Sequence, residues 1–126
     1  MSAAEPAILI VDDEVAIVEV LQRALQRQGY NTQAVGDASQ ALDCLSSTPF
    51  DLILCDLTLP GMNGVAFYQT LTGEDPGMIG RFILMTGEML DPSHRSFAKQ
   101  NHIPVLMKPF DLAELYAAVE QALQVP

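Results

Sequence analysis

Asp12, Asp13, Asp56, Thr86 and Lys108 each stand at or just past the end of a short apolar run of this chain. Their side-chain types suit one kind of chemistry. Three carboxylates brought together repel one another and raise each other's pKa values. A hard divalent cation removes that repulsion, and Mg²⁺ takes one or two carboxylates while keeping several waters. A carboxylate is also a nucleophile toward phosphorus and forms an aspartyl phosphate. In-line phosphoryl transfer then needs positive charge around the transferring oxygens. Lys108 is a point charge of that kind, and the Thr86 hydroxyl is a neutral donor to a phosphoryl oxygen. Taken singly, each residue has an ordinary explanation. Asp starts turns, an Asp pair complements a helix N-terminus, Thr favours strands, and a lysine beside a proline usually lies on the surface. Turn preferences alone do not place all five at one edge of a fold, so the elements carrying them decide the matter.

Those elements alternate. Ala7–Val11 is a wholly apolar run too short for a helix, which reads as a strand buried on both faces and ending on Asp12-Asp13-Glu14. Val15, Val18, Leu21 (or Gln22) and Leu25 recur at helical spacing, and Gly29 suits the residue just past a helix. Asn31–Val35 is a short strand. Asp37 with Gln40 forms a capping-box pattern opening a helix through Ala41, Leu42 and Leu45. The stretch Phe50–Gly61 holds a third short apolar run, read as a strand that delivers Asp56 just before Pro60 and Gly61 turn the chain. A short helix carries Val65, Phe67, Tyr68 and Leu71, and Thr72–Gly77 breaks it.

Arg81–Gly87 is a fourth strand. Asp91-Pro92 looks like an N-cap with proline at the first helical position. The helix that follows, to about Gln100, has few apolar residues beyond Phe97 and Ala98 and should be largely exposed. Pro104–Met107 is a fifth strand running into Lys108. Asp111 and Glu114 form another capping box, with Leu112, Leu115, Val119 and Leu123 as the buried stripe of a last helix. The order βαβαβαβαβα predicts an α/β fold with a doubly wound parallel sheet of five strands and helices on both faces. Ligands of such sheets bind beyond the carboxyl ends of the strands, where all five candidate residues fall.

The 126 residues bound a single domain, 1–126, with 49% hydrophobic residues, enough for a core. Net charge is −10, which argues against nonspecific contact with nucleic acid or an anionic membrane. Cys44 and Cys55 have no metal-like spacing and read as small buried hydrophobes of a reduced, cytoplasmic protein. No charged, apolar leader precedes Ala7, and no apolar run is long enough to span a bilayer, so the chain as given reads as soluble.

Over essentially its whole length the chain resembles the receiver domain of bacterial two-component response regulators. The motifs carrying the resemblance are Ile8–Glu14, Asp51–Gly64, Met85-Thr86-Gly87 and Lys108-Pro109-Phe110, in that order. The resemblance implies the flavodoxin-like strand order 2-1-3-4-5. It makes Asp56 the phosphoacceptor, with Asp12, Asp13, Asp56 and the Thr58 backbone carbonyl holding Mg²⁺ (or Mn²⁺). Thr86 and Lys108 would contact the phosphoryl group, and the Lys108-Pro109 bond is a candidate cis peptide. One position departs from the pattern: such domains usually carry Tyr or Phe three residues before the lysine, and here that residue is Val105. The usual aromatic relay is then missing, which leaves the loop after Thr86 and the sparse helix from Asp91 to shift on phosphorylation.

The stretch from Met85-Thr86-Gly87-Glu88 to Leu112 looks most like receivers of hybrid histidine kinases. A stand-alone regulator and a module of a longer protein are both compatible with the chain. The implied partners are a sensor histidine kinase or phosphotransfer domain and an output protein, with no direct nucleic acid or membrane contact, in a monomer or weak homodimer. The domain would be no enzyme beyond its own Mg²⁺-dependent phosphorylation and dephosphorylation. Three alternatives compete. A flavodoxin needs a phosphate loop where Asp12-Asp13-Glu14 would repel a phosphate. An aspartyl-phosphate phosphatase wants an acid two residues after the nucleophile, where Thr58 stands. A phosphorylation-independent pseudo-receiver usually lacks part of the acidic set or the lysine.

Overall fold

The computed structural model describes residues 5–87 and 90–124. Glu88, part of the hybrid-kinase resemblance, and the segment before Glu5, where a leader was sought, lie outside the described residues. The strands are β1 (Ala7–Val11), β2 (Asn31–Val35), β3 (Leu52–Asp56), β4 (Phe82–Thr86) and β5 (Val105–Met107). The helices are α1 (Val15–Arg27), α2 (Ala38–Ser47), α3 (Gly64–Glu74), α4 (Pro92–Gln100) and α5 (Leu112–Leu123). All neighbouring strands pair in parallel, in the order β2-β1-β3-β4-β5.

The apolar runs form strands because each successive side chain has a separate core to enter. Ile8, Ile10, Leu52, Leu54, Ile83 and Met85 point to one face, where Leu21, Ala24 and Leu25 of α1 and Leu115, Val119 and Ala122 of α5 cover them. Leu9, Val11, Ile53, Cys55, Phe82 and Leu84 point to the other, against Ala38 and Ala41 of α2, Phe67, Tyr68 and Leu71 of α3 and Ala98 of α4. At about 2 kcal/mol for each fully buried large aliphatic side chain, this two-sided burial is the main stabilisation of the central strands. The outer strands are weaker: β2 alternates exposed and half-buried residues, and β5 has only three residues.

Most helix limits are where the sequence signals them. Gly29 follows α1 with φ of 91°, a left-handed conformation that costs glycine nothing. Asp91 caps α4 by accepting from the His94 backbone N–H, and Asp111 with Glu114 completes a reciprocal capping box on α5. At α2 the Asp37 side chain accepts from Gln40 N as expected, but the Gln40 side chain returns its bond to Gly36 N rather than to Asp37.

Three expectations need correction. Helix α3 continues through Gly73 to Glu74, and Pro76–Met78 then forms a 3₁₀ turn capped by Asp75. Val15 is 71% exposed, and Leu112 is exposed too. Both begin their helices, where the first turn projects past the sheet edge, and the buried stripes are instead completed by Ala24 and Ala122.

Candidate functional site

Chain reversal between β1 and β3 creates the crevice. From β1 the chain moves outward to β2, then crosses back over β1 to β3, so the carboxyl ends of β1 and β3 have no connection lying across them. The register sets Val11 beside Cys55, Asp56 beside Met85, and Thr86 beside Met107. The residues just past those pairs therefore stand at one level. Their backbones remain tied to the sheet: Asp12 N donates to Val35 O at 3.1 Å, Leu57 N to Met85 O at 2.8 Å, and Lys108 N to Thr86 O at 2.7 Å. The Lys108-Pro109 peptide is cis.

The predicted residues converge. One ligand oxygen from each of Asp12, Asp13 and Asp56 lies within 4.8 Å of the others, with Asp12 and Asp56 buried and Asp13 exposed. Lys108 Nζ enters between them, donating to Asp12 Oδ2 at 2.8 Å and Asp56 Oδ2 at 3.3 Å. Asp56 Oδ1 accepts from the Thr58 backbone N–H at 3.2 Å, and Asp12 Oδ1 from the Glu14 N–H at 2.9 Å. Thr86 is buried at the end of β4, on the same edge. Beside it a cleft of about 320 Å³, lined by Thr58, Asn63, Thr86, Asp91 and His94 among others, leads from the site to α4. Val105 on β5 is half-buried.

Burial raises the Asp56 carboxyl above its ordinary pKa, and the Asp12 charge pushes the same way; the Thr58 N–H and the Lys108 charge pull it down without cancelling the rise. Burial works against charged Lys108, but its hydrogen bond to Asp12 and the charge of Asp56 prevail and push it up to about 12. A raised lysine pKa stabilises the fold fully below the unfolded value near 10.5, and the contribution is lost as pH rises through about 12. Discounted for the solvent that still reaches the ammonium, that shift is worth about 1 kcal/mol. Lys108→Met is accordingly expected to lower stability at pH 7 by about that amount in urea denaturation. A loss under about 0.5 kcal/mol, ordinary for an exposed pair, would show that the carboxylates do not depend on the ammonium.

The donor set fits a hard cation. Among the described residues the group holds three carboxylates and no imidazole, and the neighbouring Cys55 thiol is pushed well above its ordinary range by burial and by the Asp56 and Asp12 charges. Oxygen donors with excess negative charge suit Mg²⁺ or Mn²⁺, and Cys55 is packed in the core with α2 and α3 rather than in the acidic group.

One participant was not singled out from the sequence. Glu14 Oε1 also accepts from Lys108 Nζ, at 3.2 Å. Its place in the acidic run was visible, but its partner lies 94 residues away and only the fold joins them.

A family model of the response regulator receiver domain matches residues 8–120. The chain belongs to this family, the receiver domains of two-component response regulators. It is 32% identical to the DNA-binding response regulator MtrA of Mycobacterium tuberculosis, over 98% of this chain. It spans 53% of that protein and 26% of another curated relative, so it matches only part of their length. Among solved structures it is similar to the signal receiver domain of an HD domain-containing protein from Pseudomonas fluorescens Pf-5, with a TM-score of 0.86 and 33% identity over 96% of both chains. It is also similar to the receiver domain of the sensor histidine kinase PA1611 from Pseudomonas aeruginosa PAO1, with a TM-score of 0.82 and 27% identity over 95% of this chain and 98% of that one. That receiver is described with a magnesium ion coordinated in its active-site cleft.

Proposed function

We propose that this domain receives a phosphoryl group on Asp56 from the phosphohistidine of a histidine kinase or phosphotransfer domain, and that the modification switches its binding to an output protein. The observation carrying this reading is Asp56 itself, buried at a strand end, with one carboxylate oxygen on Lys108 and two further acids within 4.8 Å. An Asp56 carboxylate oxygen forms a bond to phosphorus while the P–N bond of the donor breaks, and the imidazole nitrogen leaves with the electron pair. Asp12, Asp13, Asp56 and the Thr58 carbonyl would hold Mg²⁺ (or Mn²⁺), which supplies charge neutralisation for the transferring oxygens. Lys108 contributes a fixed positive charge beside the acceptor and the Thr86 hydroxyl a neutral donor. The complete set argues against a phosphorylation-independent module.

We read residues 1–126 as one receiver domain, working in the cytoplasm as a monomer or weak homodimer, either alone or within a longer kinase or regulator. Among the described residues no helix is long and apolar enough to cross a membrane. The net charge of −10 argues that nucleic acid is not a direct partner of this domain, although one relative is named as a DNA-binding response regulator.

Incubation with acetyl phosphate and Mg²⁺ is expected to add one phosphoryl group by intact mass, and excess EDTA to abolish the addition. An unchanged mass in the presence of Mg²⁺ would refute the reading. The cleft from Thr86 to α4 marks the expected route of output, since Val105 offers no aromatic ring to rotate. Amide chemical shifts across residues 87–105 are therefore expected to move on phosphorylation. Shifts confined to the acidic site would remove α4 from the switch.

A further inference from the structure

Lys108 divides its three N–H groups among three carboxylates: Asp12 at 2.8 Å, Glu14 at 3.2 Å and Asp56 at 3.3 Å. These acceptors are not equivalent. Asp12 and Asp56 belong, with Asp13, to the group whose oxygens could share a metal ion, and Glu14 does not. The Asp12 side chain is fully buried, whereas that of Glu14 is 57% exposed. A divalent cation entering the site therefore competes with the ammonium for Asp12 and Asp56 but not for Glu14. An ammonium with no third acceptor would resist displacement, because it would be left half-buried without a partner. The Glu14 backbone N–H is also bonded to Asp12 Oδ1, so the residue is anchored at the site it serves.

Building on the metal-site reading above, we propose that Glu14 is a positioning residue. It offers the Lys108 ammonium a carboxylate outside the metal group, easing entry of the cation while keeping the ammonium beside Asp56.

The proposal concerns the balance between two cations, so its test needs no phosphoryl donor. Calorimetric titration with MgCl₂ at physiological ionic strength compares the unmutated chain with Glu14→Gln, Glu14→Asp, Lys108→Met and the double variant Glu14→Gln/Lys108→Met. Glu14→Gln is expected to weaken Mg²⁺ binding about two- to five-fold, the range open to an exposed ion pair. Glu14→Asp should retain most of the affinity, and Lys108→Met should bind more tightly than the unmutated chain. In the Lys108→Met background, Glu14→Gln should have little further effect.

Equal weakening in both backgrounds would overturn the proposal, since Glu14 would then act only through its own charge on the metal. No effect of Glu14→Gln while Lys108 is present would overturn it as well. Acetyl phosphate labelling of the same samples separates the two readings. Equal weakening with a normal adduct removes only the role of Glu14. Coupled binding without an adduct in the unmutated chain supports that role and removes the phosphoacceptor reading. A chain that binds no Mg²⁺ overturns both.

Discussion

Asp56→Asn is expected to take up no phosphoryl group from acetyl phosphate, with Mg²⁺ present and the fold intact. Asparagine keeps the shape of the side chain but has no anionic oxygen to attack phosphorus. The nearby acids do not replace it. Asp12 is occupied by Lys108 and the Glu14 N–H, and Asp13 stands exposed at the rim. Stability should not explain the loss. Burial raises the Asp56 pKa, so the folded state holds its proton more strongly than the unfolded one, and ionised Asp56 weakens the fold progressively as pH rises from the ordinary value near 3.8. A neutral amide escapes that cost, and the variant should melt at or above the temperature of the unmutated chain at pH 7. The measurements are intact mass and a melting curve on the same sample. An adduct persisting in Asp56→Asn would move the acceptor elsewhere and dismantle the proposed site.

Gly64→Ala should be among the most damaging single-methyl changes in the domain. Gly64 opens α3, and a Cβ there would lie 2.9 Å from the Asp56 carbonyl oxygen, 2.9 Å from Leu84 Cδ2 and 3.1 Å from Leu57 Cα. Two of those three neighbours are backbone and cannot rotate away. Its N–H also donates to Leu57 O at 2.8 Å, which fixes the approach. Overpacking of this kind costs about 1–3 kcal/mol, against the roughly 5–15 kcal/mol that holds a typical domain. Gly73 in the same helix is the control, since a Cβ there meets nothing within 4 Å. Gly73→Ala should gain about 0.5–1 kcal/mol from helix propensity alone. Urea midpoints of the two variants should thus move in opposite directions. Gly64→Ala standing level with the unmutated chain would mean that the β3–α3 junction yields more easily than its packing indicates. Because the contact is with the peptide of Asp56 itself, Gly64→Ala should also slow phosphorylation while Gly73→Ala leaves it unchanged.

Strands and caps were legible in the sequence because their signals are local. Ala7–Val11 and Asn31–Val35 end where the sequence places them, and Asp91 and Asp111 cap the helices they were read to cap. Helix faces were legible only in part. Periodicity places Val15 and Leu112 on the correct stripe, but it does not show that the sheet ends before the first turn of either helix. It also undervalues Ala24 and Ala122, which are buried because small side chains let a helix approach the sheet closely. Thr72–Gly77 looked like one breaker, yet α3 runs through Gly73, since a single glycine costs a helix only about 1 kcal/mol. At the site the same limit recurs. Residues fixed by strand ends were found; Glu14, which matters through a lysine distant in sequence, was not.

Cys55 sits one residue before the candidate acceptor, in the middle of the sheet, and Cys44 lies half-buried on α2. Thiol reagents attack the thiolate, and the surroundings of Cys55 keep its proton in place. The two sulfurs therefore run on different clocks. Cys44 can be labelled while the domain stands, but Cys55 becomes reactive only when β3 leaves the sheet. The residue beside Asp56 thus carries a timer for global opening, readable by pulse alkylation without any substitution.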